Sequence, residues 1–172
     1  MRLICGVSLI NNNDIASITS YIIYKSNKKK NVMKFKKFDI KDKSKFSYWF
    51  WHWLAYNYTA VKLHAWRPKF LLHDIEKPWL KLIWGDYNKV KKWHREHNSH
   101  HTMYGRIHGW EKMDWLGGII DWECSRLTKN ACTLNAREEI DYMISDKNKS
   151  FSDEEKITII KNCYPILRKL NL

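Results

Sequence analysis

Long apolar runs are missing from this chain of 172 residues. No stretch approaches the roughly 20 apolar residues needed to cross a bilayer, which argues against membrane insertion by a helix. Glycine and proline are scarce, at six and three, while tryptophan is abundant, at ten. That balance favours long helices over a turn-rich β fold. Cysteine is sparse and scattered, at Cys5, Cys124, Cys132 and Cys163. The spacing fits neither a zinc ribbon nor a CxxC pair, so the cysteines read as reduced packing residues in a cytosolic setting. Met1–Ile10 offers one arginine and a short apolar run, then meets Asn11–Asn13 with no small-residue cleavage site. A signal peptide is therefore not expected, and the expected location is cytoplasmic. Internal repeats and recognisable RNA- or DNA-binding signatures are also lacking.

What remains is enough for a core. Apolar residues make up 44% of the chain and aromatics 15%, which suits one folded domain. The formal net charge is +13, and residues 1–50 carry eleven Lys or Arg against three Asp. A field of that sign draws anions such as nucleotides, nucleic acids or phospholipid surfaces; the competing reading is a solvated lysine surface.

The chain divides by composition into a basic N-terminal extension, 1–45, and a helical domain, 46–172. The expectation is an all-α bundle of about five to seven helices, with a short, poorly defined extension before it. Trp49, Trp53 and Tyr56 recur at helical spacing with His52 beside them. Trp79–His101 reads as one helix with Leu82, Ile83, Val90 and Trp93 available for packing, and 108–129 as another. Gly117-Gly118 inside the latter weakens it or allows close backbone approach. Asn135 with Glu138, and Ser152 with Glu155, mark two helix starts. After the second, Ile157, Ile160, Tyr164 and Leu167 make one apolar face.

All eight histidines fall between positions 52 and 108. On a helix, His94, His97 and His101 share one face, and His97 and His100 are three apart. Such imidazoles coordinate a transition metal or contact phosphate oxygens; otherwise they are a polar helix face. His73-Asp74 follows apolar Phe70-Leu71-Leu72, where an unpaired buried charge is costly and a metal resolves the cost. Asp121 sits in the apolar run Leu116–Trp122 and needs either a metal or a basic partner. His52, among tryptophans, is a packed residue or a ligand.

In order, these residues give His, His-Asp and Asp across helices, which resembles the metal site of the HD superfamily of phosphohydrolases. More closely, His52, then His73-Asp74-Ile75-Glu76-Lys77, then Trp93 to His101, then Asp121-Trp122, resembles a family of HD-like proteins from phages and bacteria. The resemblance covers about residues 46–145. Glu76 stands where that family tends to have serine, Pro78 where it has phenylalanine, and Gly117 near a usually acidic position. The resemblance implies an HD-like helical bundle with His52, His73, Asp74 and Asp121 on one divalent ion. Mixed N/O donors allow Mn, Co, Fe, Zn or Mg. It further implies hydrolysis of a small, anionic, nucleotide-like phosphate ester by metal-activated water. Asp74, Glu76 and Lys77 would be catalytic, and His97, His100 and His101 would contact substrate. The alternatives are a non-catalytic binder of nucleic acid or nucleotides on the same scaffold, and a structural protein whose histidines only pack.

Overall fold

Phe46–Lys62 contains no glycine or proline, and its aromatic and small residues recur every three or four positions. Such a segment forms a helix with one buried face. In the computed structural model, which describes residues 33–172, this is helix α1. Its inward stripe is Tyr48, Trp49, His52, Ala55, Tyr56, Thr59 and Ala60, so His52 is turned into the molecule by its register. Six further helices follow: α2 Glu76–Trp84, α3 Tyr87–His97, α4 Thr102–His108, α5 Trp115–Thr128, α6 Ala136–Ile144 and α7 Asp153–Leu170. Short 3₁₀ turns occupy Ile40–Ser44, Pro68–Leu72 and Trp110–Lys112. Among the described residues the β structure amounts to one isolated bridge, Phe38 to Lys129. The all-α bundle expected from the sequence is what forms. No helix among these residues is long and apolar enough to cross a membrane.

Helix α5 is the central element. Its Ile120 and Cys124 pack with Ala55, Tyr56 and Ala60 of α1 and with Phe70. Its Trp115 and Ile119 pack instead with Ile140 of α6 and Ile159, Cys163 and Leu167 of α7. Both expected capping boxes are present, Asn135 with Glu138 and Ser152 with Glu155. Buried Glu123 of α5 also accepts the backbone N–H of Ala136 at 3.0 Å, so α5 holds the start of α6.

Four sequence expectations change. The single helix over Trp79–His101 is broken: Gly85 takes φ 69° and ends α2, and Asp86 caps α3 by accepting from the Asn88 N–H at 2.8 Å. α3 then ends at His97, and the run 108–129 is broken at Gly109, φ 104°. On α2, Leu82 and Ile83 are exposed rather than packed. On α7 the buried stripe is Ile159, Cys163 and Leu167, while Ile157 and Ile160 face outward. The compact unit is Phe35–Leu172. Buried Phe38 ties its start to the end of α5, with Phe38 N donating to Thr128 O at 2.9 Å and Asn130 N to Phe38 O at 3.0 Å. Residues 1–32 of the N-terminal extension, with Cys5, lie outside the described residues.

Candidate metal centre

Pro68 starts a short 3₁₀ turn that delivers His73 and Asp74 to the interior, where both are buried. Asp74 adopts φ 59°, a left-handed conformation that Asp tolerates better than most residues. The reversal lets two adjacent side chains converge on one place. Strain of this kind costs on the order of 1–3 kcal/mol and persists where the surroundings enforce it. Tyr56 is one enforcer: its ring lies parallel to His73 at 3.6 Å between centroids.

Side chains from three separate segments of the chain meet there. His52 Nε2 lies 3.0 Å from Asp121 Oδ1, 3.4 Å from His73 Nε2 and 3.6 Å from Asp74 Oδ2. His73 Nε2 lies 3.6 Å from Asp74 Oδ1 and 3.8 Å from Asp121 Oδ1. Donor atoms ~2.1 Å from a shared ion stand ~3.0 Å apart at right angles and ~3.4 Å apart in a tetrahedron. The observed separations sit close to those values, and the donors are the hard and borderline types that suit divalent ions.

A second group adjoins the first across Asp74. Its Oδ1 is 3.0 Å from His94 Nε2 and 3.8 Å from His100 Nε2. His94, His100 and His101 can each aim a ring nitrogen at a shared point. Asp74 Oδ1 and the Nε2 atoms of His94, His100 and His101 are all buried and make no hydrogen bond of good geometry, the 3.0 Å approach of His94 to Asp74 included. Leaving buried polar atoms unsatisfied is costly, and a cation among the three imidazoles would satisfy their nitrogens. His94 also carries the support typical of a ligand. Its Nδ1 is held by the Glu76 carboxylate, and Asn98 donates to that carboxylate at 3.1 Å. Holding Nδ1 leaves Nε2 facing the centre.

Electrostatics agree with this reading. Burial pushes His73 and His101 well below their usual value and His100 down to about 4, so these imidazoles are neutral with lone pairs to offer. For Asp74, burial pulls upward, but His73, Lys77 and His94 together hold it well below the carboxylate range. Asp121 is likewise held low against burial, chiefly by His52 and Lys129. His94 is the exception: burial lowers it, yet Asp74 and Glu76 prevail and raise it. Cys124 is near His52, but burial drives its thiol well up, and it donates to the Asp121 carbonyl at 3.3 Å. It behaves as a packed donor.

The candidate residues thus separate. His52, His73 and Asp74 form one group, His52 and Asp121 a second with Cys124, and His100 and His101 a third with His94, while Lys77 pairs with Asp74 Oδ2 at 2.6 Å. His97 does not join them: it is exposed and stacks on Trp93 with centroids 4.4 Å apart. The shared helical face expected for His94, His97 and His101 fails because α3 stops at His97 and His101 caps α4. Glu76, expected as a catalytic group, is engaged with His94, which helical spacing groups with His97 and His101; Asn98 is a member that the sequence did not single out. Gly118 makes the close approach possible. A Cβ there would stand 2.9 Å from the His100 carbonyl oxygen. Compared with family models, curated proteins and solved structures, the chain returns no match.

Proposed function

We propose that this protein is a metal-dependent hydrolase of phosphate esters, acting on a nucleotide-like substrate on an HD-like scaffold. The observation that carries the reading is the convergence of His52, His73, Asp74 and Asp121, with the unsatisfied nitrogens of His94, His100 and His101 across Asp74. A divalent cation held by these residues would lower the pKa of water and polarise a phosphoryl oxygen. The chain's own contributions follow from geometry. Asp74 offers Oδ1 to the interior, while Lys77 fixes Oδ2. That carboxylate orients the attacking water, whose proton passes to solvent. Water oxygen joins phosphorus, the ester P–O bond breaks, and the leaving oxygen takes a proton from Lys77 Nζ or solvent. His101, on the cavity side of the cluster, contacts the phosphoryl oxygens. Glu76 positions His94.

The test is a screen of purified protein, with Mn²⁺, Co²⁺, Zn²⁺ or Mg²⁺, against nucleoside monophosphates, cyclic nucleotides, dinucleotides and generic phosphodiesters. Turnover that requires added metal is the expected result. The net charge of +13 favours one rival, a non-catalytic binder of nucleic acid. Salt-sensitive nucleic-acid binding without turnover of any ester would replace the enzyme reading with that one.

A further inference from the structure

Beside the histidine–aspartate cluster lies a cavity of about 420 Å³, within the size range of small-ligand sites. Asp121 and His101 line it, so it opens onto the proposed centre. Its charged lining is balanced: Arg95 and Lys129 are the cations, Asp121 and Glu139 the carboxylates. Asp121 belongs to the centre, 3.0 Å from His52 Nε2, and Lys129 donates to Ser125 Oγ at 2.6 Å. Arg95, exposed on α3, offers counter-charge to one phosphate. That leaves Glu139, which none of these interactions employs.

Glu139 stands half-buried in the first turn of α6. Nearby carboxylates have fixed partners. Glu138 closes the capping box with Asn135, Asp141 accepts the Tyr164 O–H at 2.6 Å, and Glu123 accepts the Ala136 N–H. Among the described residues the Glu139 carboxylate has no ion pair and no hydrogen bond; burial pushes it up, against the pull of Lys129. A half-buried carboxylate that lines a cavity without a donor is costly until a donor arrives. It has acceptors only, two oxygens side by side, so its complement is a pair of adjacent donors. Trp122 and Tyr142 line the same cavity, and aromatic faces suit a planar ring. Two parts of a nucleotide present adjacent donors: the N–H edge of guanine and the 2′,3′-diol of ribose. The other common bases set an acceptor beside each donor, which a carboxylate repels.

We infer that Glu139 is a specificity-determining residue of this cavity, accepting a pair of adjacent donors from the nucleoside part of the substrate. The inference rests on the nucleotide-like reading of the substrate and adds which group reads it. Binding is measured by titration calorimetry on the full chain in chelator, where metal-dependent hydrolysis does not intervene. The probes are the monophosphates of guanosine, inosine, adenosine, 2′-deoxyguanosine and 2′-deoxyadenosine. If the guanine edge is read, both guanine nucleotides should bind about tenfold more tightly than the inosine and adenine ones. If the diol is read, each ribonucleotide should exceed its deoxy form by about the same factor. Either ratio should fall to about two or less in Glu139→Gln, which keeps the size but turns one acceptor into a donor. Burial already opposes the Glu139 charge, so this variant should melt no earlier than the parent, and lost discrimination is then not lost fold. Glu154→Gln, the same change of charge at an exposed position of α7, should keep the parent ratio. Equal affinity for all five probes, no binding of any, an unchanged ratio in Glu139→Gln, or an equal loss in Glu154→Gln overturns the inference. Metal content and phosphate-ester turnover are measured on the same preparations. Turnover without discrimination removes the role of Glu139 alone, whereas discrimination without turnover keeps that role and removes the hydrolase reading.

Discussion

Asp74 faces both ligand groups, and its backbone is left-handed. Asn also tolerates that conformation, so Asp74→Asn changes the charge while sparing the turn. Phosphate-ester turnover should then fall by about a hundredfold or more, because a ligand charge and the water-orienting oxygen go together. An unchanged rate in steady-state assays would remove Asp74 from the chemistry. Glu76 acts at one remove. In Glu76→Gln the acceptor for His94 Nδ1 is weakened, and metal affinity should drop by about 10- to 100-fold, read by competition with a coloured chelator. An Asp at the same position, shorter by one carbon, should restore less than half of the lost affinity if reach to His94 matters. The ordered set His52, His73-Asp74, Asp121 was legible in the sequence because each is a polar residue within an apolar or aromatic stretch, where burial demands a partner. His94 was harder to assign, since alternation along the run His94 to His101 points several histidines to one side whether or not the helix continues.

At the level of elements, helix content and both capping boxes were legible, because a cap is a local arrangement of side chain and backbone. The break at Gly85 was not, although Gly85-Asp86 is a stop followed by a start, since apolar spacing on either side runs through it. The ordering of 35–45 escaped for a different reason: one buried phenylalanine and one bridge to Lys129 leave no periodic trace. The register of α7 was misread because exposed Ile157 and Ile160 are as apolar as buried Ile159. Where α5 meets the loop carrying His100, the glycines decide the spacing. Gly118→Ala places a methyl group 2.9 Å from the His100 carbonyl oxygen, which is backbone and cannot swing aside. Overpacking of this sort costs about 1–3 kcal/mol. The variant should melt earlier in calorimetry and lose metal affinity with it, whereas Gly85→Asn, at an open left-handed cap, should do neither.

For the molecule as a whole, the buried histidines and aspartates couple folding to pH. His100 titrates near 4 when folded and near 6.5 when unfolded, and His73 and His101 are shifted the same way. Below pH ~6.5 the unfolded chain therefore binds more protons, and stability falls with pH until the folded values are passed. Asp74 and Asp121, held below 3.8, extend the loss to lower pH. His94, raised, opposes it, contributing stability that is lost as pH rises through its folded value. Three histidines against one give a net decline, so the midpoint of thermal unfolding of metal-free protein should drop between pH ~6.5 and 4. A flat profile would mean these rings are solvated. The claim beneath all of this is that the histidines and aspartates hold a divalent cation. It is tested most directly by elemental analysis of the purified chain after supplementation and gel filtration. The account predicts about one equivalent or more of a divalent metal per chain, stabilising the fold, and its loss in His73→Ala/Asp121→Ala. Metal below about a tenth of an equivalent in the parent chain, with no shift in melting temperature on adding any of the candidate ions, would contradict it.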